Sequence, residues 1–270
     1  MHLRERLNLR EKRWFDINCW SESLQIASTR GPGADDFDRA WSKYSVAHTA
    51  SLMGLVAYFG EQPTLAPQYG KQSLDATTEF FFGSWRETFV TEDGHPDPKF
   101  WKREFQWMDA FEGALFWGSV LGDWELLEKV GAFPEPDSNI STGFKPQDRD
   151  LYLALGAFLF HAPEEVTESK LQKAAAGPKK SCKLVVEIIR ACVVRDPKSL
   201  QKAYDDFLKY YKKSEFPKED ITKKISIEGT LFFHWARKEG LELRVSPEYS
   251  DHIVPSDLIA RSEPIELRTV

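Results

Sequence analysis

The stretch QWMDAFEGALFWGSVLGDWELLEKV (residues 106–130) decides the fold. Its first sixteen residues are apolar around most of a helical circumference, which predicts a central, buried helix running from about Lys99 to Leu121. Gly122 can take the left-handed conformation that closes such a helix, and Asp123 can accept the free amides of the next one. Trp124 to Val130 then read as a short helix stopped by Gly131, with Pro134 beyond. The spacing is that of a tight helix hairpin.

Working outward, apolar residues recur at steps of three and four nearly everywhere. Phe37, Trp41, Tyr44, His48, Leu52, Leu55 and Phe59 form one stripe, with Asp36 placed to cap its start and Gly60 its end. Leu74, Thr78, Phe81, Trp85 and Phe89 repeat the pattern. Residues 134–147, PEPDSNISTGFKPQ, form a polar loop, after which Asp148 to Phe160 resume as helix. KKSCKLVVEIIRACVVR (179–195) and the segment after Pro197, with Leu200, Tyr204, Phe207 and Tyr211 on one face, predict two antiparallel helices. SIEGTLFFHWARKEGLEL (226–243) predicts a last helix capped by Ser226 and stopped at Gly240, followed by an irregular tail with a turn of helix near Ser256. The expected architecture is all-α: an irregular multi-helix bundle built of antiparallel helix hairpins. The 270 residues form one domain, with possible lobes 1–133 and 148–270 joined by the 134–147 loop. No fixed period supports a repeat solenoid.

Composition narrows the class. Nine Trp and nineteen Phe supply ample material for a core. Three cysteines without CxxC spacing argue against a disulfide framework or zinc site and point to a reducing compartment, the cytoplasm. The basic start is followed by no apolar run of signal-peptide length, and no eighteen apolar residues occur in succession. Net charge is −6 and unevenly spread. Residues 91–150 carry 13 acidic against 6 basic side chains, net −7, and 164–224 carry 10 against 15, net +5.

Asp109 and Glu112 are three residues apart inside the central helix. Such a pair can do acid and base work if desolvated, or can simply bond to neighbouring helices; buried, it needs donors, for which Arg86, Lys102 and Arg103 are candidates. Glu92 with His95 has metal-ligand spacing but lies beside Pro96, and His161 with Glu164 and Glu165 sits at a helix end, so no metal or other cofactor is expected. The acidic runs at Asp35, Asp36 and Asp38 and at Asp205 and Asp206 lack the spacing of a magnesium site. His48 and His234 read as core histidines. Nucleophile-elbow, phosphate-loop and dinucleotide motifs do not occur.

WMDAFEGALFWGSVLGDWELLEKVGAFPEP, DPKSLQKAYDDFLKYY and ISIEGTLFFHWARKEGL together resemble the immunity protein 49 family of bacterial polymorphic-toxin systems, over roughly residues 35–260. A related helical family protecting against toxin nucleases ends in a similar aromatic helix and Pro-containing tail. Either resemblance implies a non-enzymatic protein that binds a cognate toxin in the cytoplasm and blocks its active site. Such toxins are often nucleases or deaminases with basic grooves. The acidic loops then become the expected toxin-binding surface, with Glu92, Asp93, Asp97, Glu135 and Asp137 as its residues, and no direct contact with nucleic acid or membrane. Two alternatives stay open: a helical enzyme using Asp109 and Glu112, and a helical interaction scaffold.

Overall fold

The structure, a computed structural model, describes residues 36–59, 63–83, 105–132, 146–215 and 224–255, apart from the side chains of 36–41 and 105–108. Nine α-helices and no strands occur among the described residues, so the fold is all-α. They are α1 (Asp36–Phe59), α2 (Ala66–Phe82), α3 (Phe105–Leu121), α4 (Trp124–Gly131), α5 (Pro146–Leu159), α6 (Glu164–Ala176), α7 (Lys180–Val194), α8 (Pro197–Ser214) and α9 (Ile227–Lys238). Consecutive pairs pack as hairpins: α1 with α2, α3 with α4, α5 with α6 and α7 with α8. None of these helices is long and apolar enough to cross a membrane.

The central helix is as buried as its composition requires. From Ala114 to Val120 every residue of α3 is buried, and α1, α2, α4 and α9 all pack on it. Trp117 is 1% exposed and lies between Gly54 of α1 and Gly70 of α2, where a Cβ would fall 2.2 and 2.3 Å from the indole. Its Nε1 donates to Ser51 Oγ at 3.1 Å. Small residues at these two crossings let the largest side chain of the core lie flat between two backbones.

Local chemistry explains the helix ends. Gly122 is left-handed (φ +76°), Asp123 N–H donates back to Gly118 O at 2.8 Å, and the Asp123 carboxylate accepts from Leu126 N–H at 3.1 Å. Asp196 and Ser226 cap α8 and α9 in the same way. At the end of α9, Gly240 (φ +71°) closes the helix with Leu241 N–H on Ala236 O, the six-to-one bond of a Schellman turn. Across the α4–α5 contact Gly131 and Gly156 bring backbones so close that a Cβ on Gly131 would stand 2.7 Å from Gly156 O.

Two expectations are modified. The second stripe was expected to continue through Trp85 and Phe89, but α2 starts earlier, behind Pro67 in its first turn, and its C-cap Gly83 is already extended; 84–90 lie outside the described residues, as do 99–104 at the expected start of α3. Helix α9 ends at Lys238, where Gly240 turns the chain back as expected. Helix α6 was not anticipated at all: its buried face is only Thr167, Leu171 and Ala174, too thin a stripe to stand out. Asp36 begins α1, with its side chain outside the described set.

The 134–147 segment was read as a candidate lobe boundary. Helix α9, from its far side, packs on α3, and one hydrophobic cluster contains Phe111, Trp117, Leu155, Phe158, Phe207 and Phe232. Residues 241–255 then fold back over α8 and α9. Gln201 accepts from Arg244 N–H and donates to Arg244 O, both at 2.9 Å, while His234 Nε2 meets Val254 O at 2.9 Å and Ser226 N–H donates to His252 O. The short turn there is a 3-10 helix at Ser250–His252, and the one expected near Ser256 lies outside the described residues.

Candidate functional site

Asp109 and Glu112, the carboxylates that first drew attention, are taken up by tyrosines from two different helices. Tyr44 of α1 donates its hydroxyl to Asp109 Oδ2 at 2.9 Å, and its ring stacks on His48 at 5.9 Å with a 17° interplanar angle. Glu112 hydrogen-bonds with buried Tyr152 of α5. Burial raises the Asp109 carboxyl above the usual carboxylate range, opposed by the Tyr44 hydrogen bond and by nearby His48. Burial, and then the Asp109 charge, push the Tyr44 hydroxyl far up in turn. The sequence offered Arg86, Lys102 and Arg103 as donors, all outside the described residues; among the described residues a tyrosine bonds each carboxylate. A tyrosine hydroxyl is a neutral donor with an apolar ring, so it satisfies a half-buried carboxylate without bringing a second charge into the core.

Glu92, Asp93, Asp97, Glu135 and Asp137 lie outside the described residues, as do His95 and Asp35. Asp205 accepts from Gln201 Nε2 at 3.0 Å on the exposed side of α8. His161 stands 3.8 Å from Glu128. Among the described residues no three or more His, Cys, Asp or Glu side chains gather as metal ligands. His234 is buried and holds the tail through Val254 O; burial lowers its pKa.

What the fold does create is a groove of about 540 Å3 where α5, α6, α7 and α9 meet. Its floor is apolar: Phe158 of α5, Leu171 of α6, Cys192 of α7 and Trp235 of α9, with the Phe158 and Trp235 rings 5.1 Å apart. One wall is the acidic first half of α6, with Glu164 and Glu168, and the other is the end of α7, with Arg190, Val193, Val194 and Arg195. Arg190 straps the walls together by two bonds to Glu168, 2.7 Å from Nη2 and 3.3 Å from Nε, and adds Glu187 at 3.0 Å. The Arg190 guanidinium holds Glu168 below its ordinary pKa. Arg195 reaches Glu239 at 2.6 Å through a single nitrogen.

Five large hydrophobic side chains are exposed among the described residues: Phe82, Phe160, Val166, Val193 and Val194. Two of the five, Val193 and Val194, line the groove. Val194 is 74% exposed. Scattered apolar residues on a surface need no explanation, but two adjacent ones on the wall of a concave, apolar-floored groove make it a candidate recognition site. The sequence reading missed this site. Its one visible trace was the second valine of ACVVRDP, which runs past the buried stripe of α7.

A second, open cleft lies between the start of α8 and residues 242–247, lined by Lys198, Lys202, Asp205, Asp206 and Arg244. Its walls carry charged side chains of both signs beside Pro197, Val245 and Pro247.

No protein-family model, no curated protein and no solved structure matches this chain.

Proposed function

We propose that this chain is an all-helical binding protein that neutralises a cognate bacterial toxin, an immunity protein acting in the cytoplasm of the cell that makes the toxin. The observation that carries the reading is a pair of exposed valines, Val193 and Val194, on the wall of a groove with an aromatic floor, which is surface suited to a protein partner rather than to water. Two features of the sequence support it: the resemblance to the immunity protein 49 family, and the net −7 block at 91–150. That block would steer a toxin with a basic substrate groove, such as a nuclease or deaminase, because opposite potentials speed encounter. Glu92, Asp93, Asp97, Glu135 and Asp137 are its proposed contact residues.

The test is co-expression of the chain with the toxin-domain protein encoded next to it. Restored growth together with a stoichiometric complex on gel filtration is the expected result; neither rescue nor complex overturns the reading. Reversing the charge of Glu92, Asp93 and Asp97 together is expected to slow association and make it less sensitive to salt.

The enzyme reading has one observation in its favour, an Asp109 carboxyl with a raised pKa beside Tyr44 and His48. It requires that Asp109→Asn with Glu112→Gln abolish an activity while the fold stays intact.

A further inference from the structure

Four described positions adopt left-handed backbone: Gly122 and Gly240, and the non-glycine residues His161 and Arg195 (φ 57° and 54°). All four follow the last turn of a helix. At α5, His161 N–H donates to Phe158 O and Ala162 N–H to Ala157 O, which is the same closure that Gly240 and Leu241 make at the end of α9. Arg195 does the corresponding job at the end of α7, donating to Cys192 O. Glycine is the favoured residue here because a Cβ is crowded in this conformation. At the two sites away from the groove the chain uses glycine. At both sites that line the groove it keeps a long polar side chain against a conformational penalty, and strain retained in this way collects at functional positions.

We propose that the groove binds an amphipathic helix of the protein partner, its apolar stripe inserted between Val193, Val194 and the Trp235 floor. The helix's cationic flank lies against Glu164 of α6 and its anionic flank against Arg195 of α7. This assignment rests on the partner-binding reading above. The choice of occupant comes from the groove's own chemistry. Arg190 and Glu168 pair across the apolar floor, which leaves Glu164 on one wall and, on the other, the donors of Arg195 that its single-nitrogen bond to Glu239 does not use, the complement of a helix with an apolar stripe between flanks of opposite charge. A free small anion fits poorly, because Arg190 is already engaged by Glu168 and Glu187. A volume of about 540 Å3 receives a few side chains and not a whole element, so the helix lies across the mouth and inserts its apolar residues.

The experiment measures affinity and thermal midpoint together, with the neighbouring gene's toxin domain, inactivated in its own active site, as the probe. Labelled 18-residue peptides tiling that domain serve as a second probe. Val194→Asp is expected to weaken toxin binding at least tenfold with the midpoint unchanged, since this side chain is mostly in solvent. His161→Gly and Arg195→Gly are each expected to raise the midpoint by about 2–4 °C while weakening binding, the reverse of what a purely structural role would give. One helical peptide is expected to bind the wild-type chain and not Val194→Asp. A toxin complex that forms with full affinity in Val194→Asp overturns the groove assignment and leaves toxin neutralisation standing. No complex with the wild-type chain overturns both. Self-association that rises with concentration and disappears in Val194→Asp overturns the assignment in favour of a second copy of this chain.

Discussion

Replacing Gly54 by Ala is expected to destabilise the fold, although the same change stabilises most helices. A Cβ at this position stands 2.2 Å from Trp117 Cζ2 and 2.8 Å from Cη2, short of ordinary contact by about 1 Å. The indole cannot retreat, because Gly70 grips its other side, where a Cβ would stand 2.3 Å from Cε3, and Ser51 holds its Nε1. Overpacking of this kind costs about 1–3 kcal/mol. Against it stands the gain of about 1 kcal/mol that Ala has over Gly in a helix interior. Helices α1 and α3 must therefore separate, and the net loss is about 1–2 kcal/mol once the propensity gain is set against the larger clash values. The measurement is urea denaturation followed by circular dichroism. The decisive comparison is the same substitution in a Trp117→Leu background, where the clash is gone and Gly54→Ala should become stabilising by up to about 1 kcal/mol. If Gly54→Ala stabilises the wild-type chain, or if the two backgrounds respond alike, the picture of an indole clamped between two glycines is wrong.

Asp109 and His234 should impose opposite pH slopes. The Asp109 carboxyl is raised above its unfolded value of about 3.9, so the folded chain holds more protons between the two and stability falls as pH climbs through that window. Urea midpoints for Asp109→Asn should lack this fall, and a slope equal to wild type would remove Asp109 from the account. His234 is lowered from its unfolded value of about 6.5, so its contribution is present above that pH and is lost as pH drops toward the lowered value. The wild-type midpoint should drop more steeply than that of His234→Gln between pH 7 and 5. Cys182 and Cys192 are buried, and burial raises both thiols, Cys182 to about 12, so neither should react with iodoacetamide at neutral pH until the chain unfolds. Mass spectrometry of the labelled peptides reads this directly, and native labelling at Cys192 would mean that the floor of the groove opens.

The hairpin at 106–130 was readable because each signal in it acts over a few residues. Gly122 turns left-handed, Asp123 caps, and a helix apolar all round has nowhere to go but the centre. Ser226 and Gly240 were legible for the same reason. Helix α6 was not, since a face of Thr167, Leu171 and Ala174 gives little periodicity. The partners of Asp109 and Glu112 were also out of reach: Tyr44 and Tyr152 are 65 and 40 residues away from them in the chain, and nothing local singles these tyrosines out.

By itself, then, the sequence determined an all-helical fold, its hairpin turns, its caps and its central helix, because helix formation and termination depend on neighbours within a turn or two of chain. Only the tertiary structure decided which carboxylates were consumed internally and where an apolar-floored groove formed. Phe158, Leu171, Cys192 and Trp235 come from four helices, and they become one floor only when α5, α6, α7 and α9 converge. Val194 gains its meaning in the same way: on an isolated α7 it is one more apolar residue, and in the fold it is mostly exposed beside a groove that four helices form.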